Sequence, residues 1–273
     1  MDEVRAALAI ARKDTRQLTR YPLNLGSLIF LPLYQGLIPS LLFGAAFLVG
    51  GRAIGLEAAT GSADLAGFLF LGAIVTGLTA STFWGIAFGL RFELDTGTLE
   101  AMWLTPTRRD TLVLGRALSA GVVFLLTQTV LIVIGIGVFG AHFLPTALFA
   151  LPALMFAAVS MVGVAYLLSS VVLLLKEASF FIDTTNFLTN VFAGVGFPVT
   201  VLPGVAQAVS FLLPTTYALD VLRHYAIGSR PLLDPLVEHL ILAALAVLVF
   251  PLGRVVFARA DRRLARTGGL SQY

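Results

Sequence analysis

Six stretches of this chain are apolar almost throughout, and charges, prolines and glycines gather in the segments between them. They run from Leu25 to Val49, Leu65 to Leu90, Leu112 to Phe139, Ala147 to Leu175, Phe180 to Phe197 and Leu236 to Phe257. A helix crossing the hydrocarbon layer needs about 20 apolar residues, so the pattern predicts six transmembrane helices. The segment before the first is different. Val4, Ala7, Leu8, Ala11, Thr15 and Leu18 recur at helical spacing on one face, while Arg5, Arg12, Arg16 and Arg20 fall mostly elsewhere. This predicts an amphipathic helix over 1–21, lying in the membrane interface with its basic side toward anionic headgroups. It is not a cleavable signal, because Asp2, Glu3 and Asp14 interrupt it and no short apolar core precedes Tyr21 and Pro22.

Composition strengthens this picture. Hydrophobic residues make up 58% of the 273 and charged residues 12%, with a mean hydropathy of +0.93. Soluble domains carry about 25% charged residues, so a soluble enzyme and a disordered chain are both excluded. Cysteine is absent, which removes disulfides, thiolate metal sites and a cysteine nucleophile. The net charge of +3 reflects orientation. With a cytoplasmic N-terminus, all of the 18 basic residues except Arg52, Arg223 and Arg230 fall on the inner side. Six spans with both ends inside satisfy the positive-inside rule.

Catalytic and coupling signatures are missing. The chain has no H-E-x-x-H and no G-x-S-x-G, and His142, His224 and His239 are scattered near the expected outer face. Asp183 and Glu238 fall near span ends, where they can reach headgroups or water, leaving the middles of the spans without the acid a coupling ion requires. Neither Lys13 nor Lys176 follows a glycine, so there is no P-loop. Any ATPase must be a separate chain.

Three segments carry specific information. The loop over 91–110 has a turn at Thr96-Gly97, then a short helix from Thr98 to Leu104 that stops at Thr105-Pro106. Its apolar edge, Leu99, Met102, Trp103 and Leu104, calls for a covering partner. The segment over 198–215 is too short to span but apolar enough to dip into the membrane. Pro198, Pro203 and Pro214 break it, predicting a re-entrant hairpin of two short helices that turns near Pro203-Gly204 and packs against the bundle. Thr216 to Arg223 should follow as an amphipathic helix on the outer surface. The fifth stretch begins with Asp183, Thr184, Thr185, Asn186, Thr189 and Asn190. Asn186 and Asn190 share a helix face and should meet protein or a wet path rather than lipid.

With these features in this order, the chain resembles the ABC-2-type permeases, the membrane subunits of one class of ABC exporter. The resemblance covers nearly the whole chain and rests on the N-terminal helix, the six stretches, the loop Glu93…Gly97-Thr98-Leu99-Glu100…Thr105-Pro106, and the hairpin Pro198…Leu202-Pro203…Leu213-Pro214 with Asp220 and Arg223 after it. It implies an all-α integral membrane fold forming a single transmembrane domain over 1–273. Glu93, Gly97, Thr98, Leu99, Glu100, Met102, Trp103 and Leu104 would form the coupling helix that docks on an ABC ATPase subunit. Two ATPase subunits would join two permeases, ATP and Mg would bind the ATPase, and this chain would hold no cofactor or metal of its own. In relatives the substrate route runs between two permeases along the first, second and fifth spans, which places Gln35, Thr185, Asn186, Thr189 and Asn190 near it. Pro198, Leu202, Pro203, Gly204, Val209, Leu213 and Pro214 would form an outer gate. The chain lacks the fused ATPase and long outer loops of large eukaryotic members, so a bacterial or archaeal plasma membrane is expected. Phe, at 21 residues, far outnumbers the 6 Tyr and 2 Trp that would suit sugar stacking, favouring an amphiphilic, lipid-like or drug-like substrate.

Two other classes remain. A secondary transporter or channel independent of ATP would show an inverted repeat and a broken midplane helix. A membrane lipid-modifying enzyme would cluster acids or histidines at one membrane face.

Overall fold

The computed structural model describes residues 2–20, 38–45, 53–137, 141–175 and 178–267, together with the single positions Gly26, Phe30 and Leu48. Every long element among them is helical, and no strand occurs among the described residues. Of the first apolar stretch only α2, Ile38–Ala45, and the single positions Gly26, Phe30 and Leu48 are among these residues, and Gln35 lies outside them.

Helix α1, Asp2–Arg20, packs lengthwise on α7, Arg109–Gly137. Gly115 makes this close approach possible, since a Cβ there would sit 2.9 Å from the Ala7 carbonyl oxygen and 2.8 Å from the Ile10 Cβ. The expected apolar face of α1 is therefore divided: Ala7 is buried against α7, while Val4 and Leu8 are exposed. Helix α3, Ile54–Thr60, ends at Gly61, whose positive φ of 76° reverses the chain. Asp64 then caps the next helix by accepting from the Gly67 N–H at 2.8 Å.

The central element spans Leu65–Asp95. It comprises α4, Leu65–Thr82, a π-helical segment, Phe83–Phe88, and α5, Gly89–Asp95. Phe68, Phe70, Leu71, Phe83 and Ile86 on it are fully buried, so other helices surround it. A short α6, Thr98–Trp103, follows, and then α7. A 3-10 turn, Pro145–Ala150, leads into α8, Leu151–Leu174. After α8 come α9, Ala178–Phe192; α10, Gly204–Ser210; α11, Pro214–Ile227; and α12, Pro235–Thr267. Helices α8 and α12 cross where two glycines meet. A Cβ on Gly253 would overlap the Gly163 carbonyl, and one on Gly163 would lie 2.6 Å from the Val249 carbonyl oxygen.

Among the described residues, four helical runs are long and apolar enough to cross a membrane: Leu65–Asp95, Arg109–Gly137, Pro145–Leu174 and Pro235–Leu264. A fifth crossing is possible through α10 and α11, which are bent by 88°. The expected fifth span is shorter than its apolar stretch. Helix α9 has 15 residues, about 22 Å, and ends before Gly194, whose φ of 73° turns the chain.

The segment expected on the outer surface is instead core. Thr215 to Leu219, Val221, Leu222 and Arg223 on α11 are buried, packed with Phe68, Leu71 and Leu242. The apolar contacts available to Tyr217, Leu219 and Leu222 inside the bundle outweigh the amphipathic appearance of the sequence. The turn before α10 also differs from expectation. Leu202 and Pro203 are extended, and Gly204 is the first residue of a regular helix without positive φ. The sharper reversal comes at Phe211–Leu213, where Thr216 Oγ1 donates to the Ser210 carbonyl at 2.7 Å and Tyr217 Oη to the Phe211 carbonyl at 2.8 Å.

Candidate functional site

Helix α6 lies at the end of the bundle where α5 finishes and α7 begins. Gly97, with φ 71°, makes the turn into it. Thr96 Oγ1 donates to the Phe92 carbonyl at 2.9 Å, and Thr98 Oγ1 lies 3.0 Å from Thr96 Oγ1. Leu99 is fully buried against the Leu94 and Val113 cluster. It pins α6 to the bundle while the other side points outward. Leu104 is 88% exposed. Met102 and Trp103, expected to be bare, are half-buried, and the Arg109 guanidinium stacks over the Trp103 ring, 4.1 Å from its centre. Thr105 Oγ1 donates to the Met102 carbonyl at 2.6 Å and closes the helix.

Glu93 is not on this outward surface. It is buried and joins three elements: Arg116 Nη2 on α7 lies 2.5 Å from Oε1, and Lys13 Nζ on α1 donates to the same oxygen at 2.8 Å. Arg116 reaches it by lying over Gly89, where any Cβ would collide with the guanidinium. The Lys13 ammonium is held above its ordinary pKa. Burial alone would lower it, but the hydrogen bond to Glu93 and the charge of Asp14 more than offset that. A second set of ties binds the same end to α12. Arg109 pairs with Asp261, and Asp110 accepts from Arg254 Nε at 3.1 Å and from Tyr166 Oη at 2.7 Å. Arg109 thus connects the Trp103 ring directly to α12.

The middle of the bundle holds a polar layer. Thr79 Oγ1 lies 3.2 Å from the Asn190 Oδ1 acceptor, and Asn190 Nδ2 donates to the Asn186 carbonyl at 2.8 Å. Asn190 therefore faces α4, Thr189 is buried, and Thr185 and Asn186 are half-buried. On another part of α4, the Gln128 amide nitrogen rests against Gly77, leaving no room for a Cβ. Gln128 is buried, and its Oε1 has no hydrogen-bond partner. Sequence reading missed Gln128; a lone glutamine inside an apolar stretch facing a glycine was the available signal.

At the opposite end, Pro198 is half-buried, Pro203, Gly204 and Val209 are exposed, and Leu202 and Leu213 are half-buried. Gln207 Nε2 donates to the Leu202 carbonyl at 2.8 Å and stabilises the extended corner. Pro214 is buried as the first residue of α11. Beneath them Arg223 is 5% exposed. Its guanidinium donates to the carbonyls of Gly194 at 2.9 Å, Val195 at 2.8 Å and Phe68 at 3.2 Å, and lies 3.3 Å from the Phe68 ring. It caps the end of α9 and ties that end to α4. Glu238, expected at a span end in reach of water, is fully buried. It lies within hydrogen-bonding reach of Asp220. Glu238 Oε1 accepts from the Leu233 N–H at 3.0 Å and Asp220 Oδ2 from the Leu232 N–H at 2.7 Å. The α11–α12 turn brings these acids together, a meeting that their separation in sequence conceals.

Long apolar helices with a buried polar layer and ion pairs at one end define a multi-pass membrane protein. The family model of ABC-2 type transporters matches residues 5–226, from α1 to the end of α11, and the chain belongs to that family. It is therefore a transport permease component. No curated protein matches the chain.

Proposed function

We propose that this chain is the membrane permease subunit of an ATP-driven ABC exporter, moving an amphiphilic, lipid-like or drug-like substrate from the cytoplasm or inner leaflet outward. The observation that carries the reading is the build of α6: Leu99 fixes it to the core, while Leu104 stands 88% exposed beside Met102 and Trp103. An apolar side chain presented this way on a rigid element suits docking in a groove of a partner. The partner is a separate ABC ATPase subunit, two copies of which bind ATP and Mg and join two copies of this permease. Glu93 acts from behind, holding the loop to α1 and α7, while Gly97, Thr98, Leu99, Glu100, Met102, Trp103 and Leu104 form the docking segment.

The chain crosses a bacterial or archaeal plasma membrane six times with both termini cytoplasmic, the stretches 25–49 and 180–197 completing the set. The permeases meet around a two-fold axis near the first, second and fifth spans. Gln35, Thr185, Asn186, Thr189 and Asn190 border the path, and the 198–215 hairpin gates its outer end.

The test is Leu104→Asp, co-expressed with a P-loop ABC ATPase from the same genome that co-purifies with the wild-type chain. Leu104 makes little contact within the permease, so the variant should retain the wild-type melting temperature in detergent. ATPase co-purification should fall at least tenfold, in line with loss of an interface anchor of about 2 kcal/mol. Undiminished co-purification with undiminished export-coupled hydrolysis would remove α6 from the interface.

A further inference from the structure

We propose that the arginine face at the end of α12 binds the phosphate of an anionic lipid headgroup. Arg259, Arg262, Arg263 and Arg266 line a cavity of about 360 Å³. Their spacing puts all four on one face of the helix. No carboxylate lines the cavity. The acid nearest in sequence, Asp261, is paired with Arg109. The opposite side of the same turns is packed away, with Phe257, Ala260 and Leu264 buried, so the arginines are held facing outward.

The position of the face favours a lipid over an acidic protein. The apolar run Pro235–Leu264 has 30 residues, about 45 Å of helix, against a hydrocarbon layer of about 30 Å. The last two turns therefore emerge at the level of the headgroups. Arginine side chains combine apolar stems with guanidinium heads, a chemistry that suits a phosphate at the heads and the glycerol and upper acyl carbons against the stems. The helix ends here too, and its negative macrodipole end helps to keep the arginines charged and gathered. The inference is independent of the proposed transport role.

The experiment uses the whole chain in mixed micelles containing equal amounts of dioleoylphosphatidylglycerol and dioleoylphosphatidylcholine, with the lipids retained per chain counted by native mass spectrometry. The wild type should retain the phosphatidylglycerol with a preference of about tenfold, the scale expected when several arginines meet one anionic lipid. Arg259→Gln, Arg262→Gln and Arg266→Gln together should abolish the preference. A control removing exposed charge elsewhere, Arg108→Gln and Arg230→Gln, should keep it. If the glutamine variant melts below the wild type in phosphatidylcholine micelles, the triple lysine variant replaces it. That variant keeps the charge, loses the two-pronged guanidinium geometry, and should retain a reduced preference.

Three results would overturn the proposal. Equal loss in that control would mean diffuse electrostatics. Displacement of the retained lipid by millimolar inorganic phosphate would mean a free-anion site. Absence of any preference in the wild type would leave the face to an acidic protein partner.

Discussion

The two ends of the bundle are both fastened by charged side chains, and they are built on opposite principles. At the α6 end the ties are ion pairs between elements: Glu93 to Lys13 and Arg116, Asp110 to Arg254, Arg109 to Asp261. Each joins helices far apart in sequence, and each anion has a cation. At the hairpin end, Arg223 spends its donors on backbone carbonyls, while Asp220 and Glu238 face each other and take backbone N–H groups. The first kind of tie positions side chains around α6. The second repairs backbone that irregular structure has left unpaired, at the broken end of α9 and in the turn between α11 and α12. Irregular backbone at membrane depth survives only with such repair.

Removing the repair should have the largest effect. Arg223→Ala leaves the buried carbonyls of Phe68, Gly194 and Val195 without their donor, a loss of about 1–3 kcal/mol for each. It should show as a sharply reduced yield of folded protein in detergent, and an unchanged melting temperature would mean water substitutes for the guanidinium. The next test separates the two ends by one atom. Glu93→Gln removes the charge that balances Arg116 and Lys13, and should destabilise by about 3 kcal/mol. Glu238→Gln keeps an acceptor for the Leu233 N–H and supplies a donor to Asp220, so it should change stability by less than about 1 kcal/mol. Equal losses in the two variants would erase the distinction.

A smaller effect is expected between the ends. Gly77→Ala pushes a methyl into the Gln128 amide and should lose about 1–3 kcal/mol. Adding Gln128→Ala should return most of it, read as recovery of the melting temperature. The smallest effect is a dependence on pH. Because the Lys13 pKa is raised from 10.5 on folding, its contribution is complete below pH 10.5 and fades only as pH climbs through the higher folded value. Protease protection of α1 should therefore be flat from pH 6 to about 10 with respect to Lys13. Release of α1 near neutral pH in the wild type, absent in Lys13→Met, would contradict that sign.

Much of this was legible from residues alone. The apolar stretches announced the long helices because burying a backbone in hydrocarbon leaves no other regular choice. Proline and glycine marked the limits of α6 and the start of α11. The turn at Gly97 and the face shared by Asn186 and Asn190 were local facts and held. Exposure was less legible. Trp103 read as bare because the stretch 98–104 does not reveal that Arg109 returns to cover it. Thr216 to Arg223 read as a surface helix because a buried arginine looks like an exposed one until its carbonyl partners at Phe68, Gly194 and Val195 are assembled around it.

The sequence by itself determined the class of fold, the position of the short helix α6 and the absence of a P-loop, since these depend on hydropathy and on contiguous motifs. Only the tertiary structure decided which charges are buried and with whom. Glu93 is a hub rather than a contact surface, Glu238 sits against Asp220, and Gln128 rests on Gly77. The physical reason is the same in each case. Burial of a polar group is tolerated only by partners that arrive from other helices, and nothing in the order of residues along one helix states which helix will be beside it.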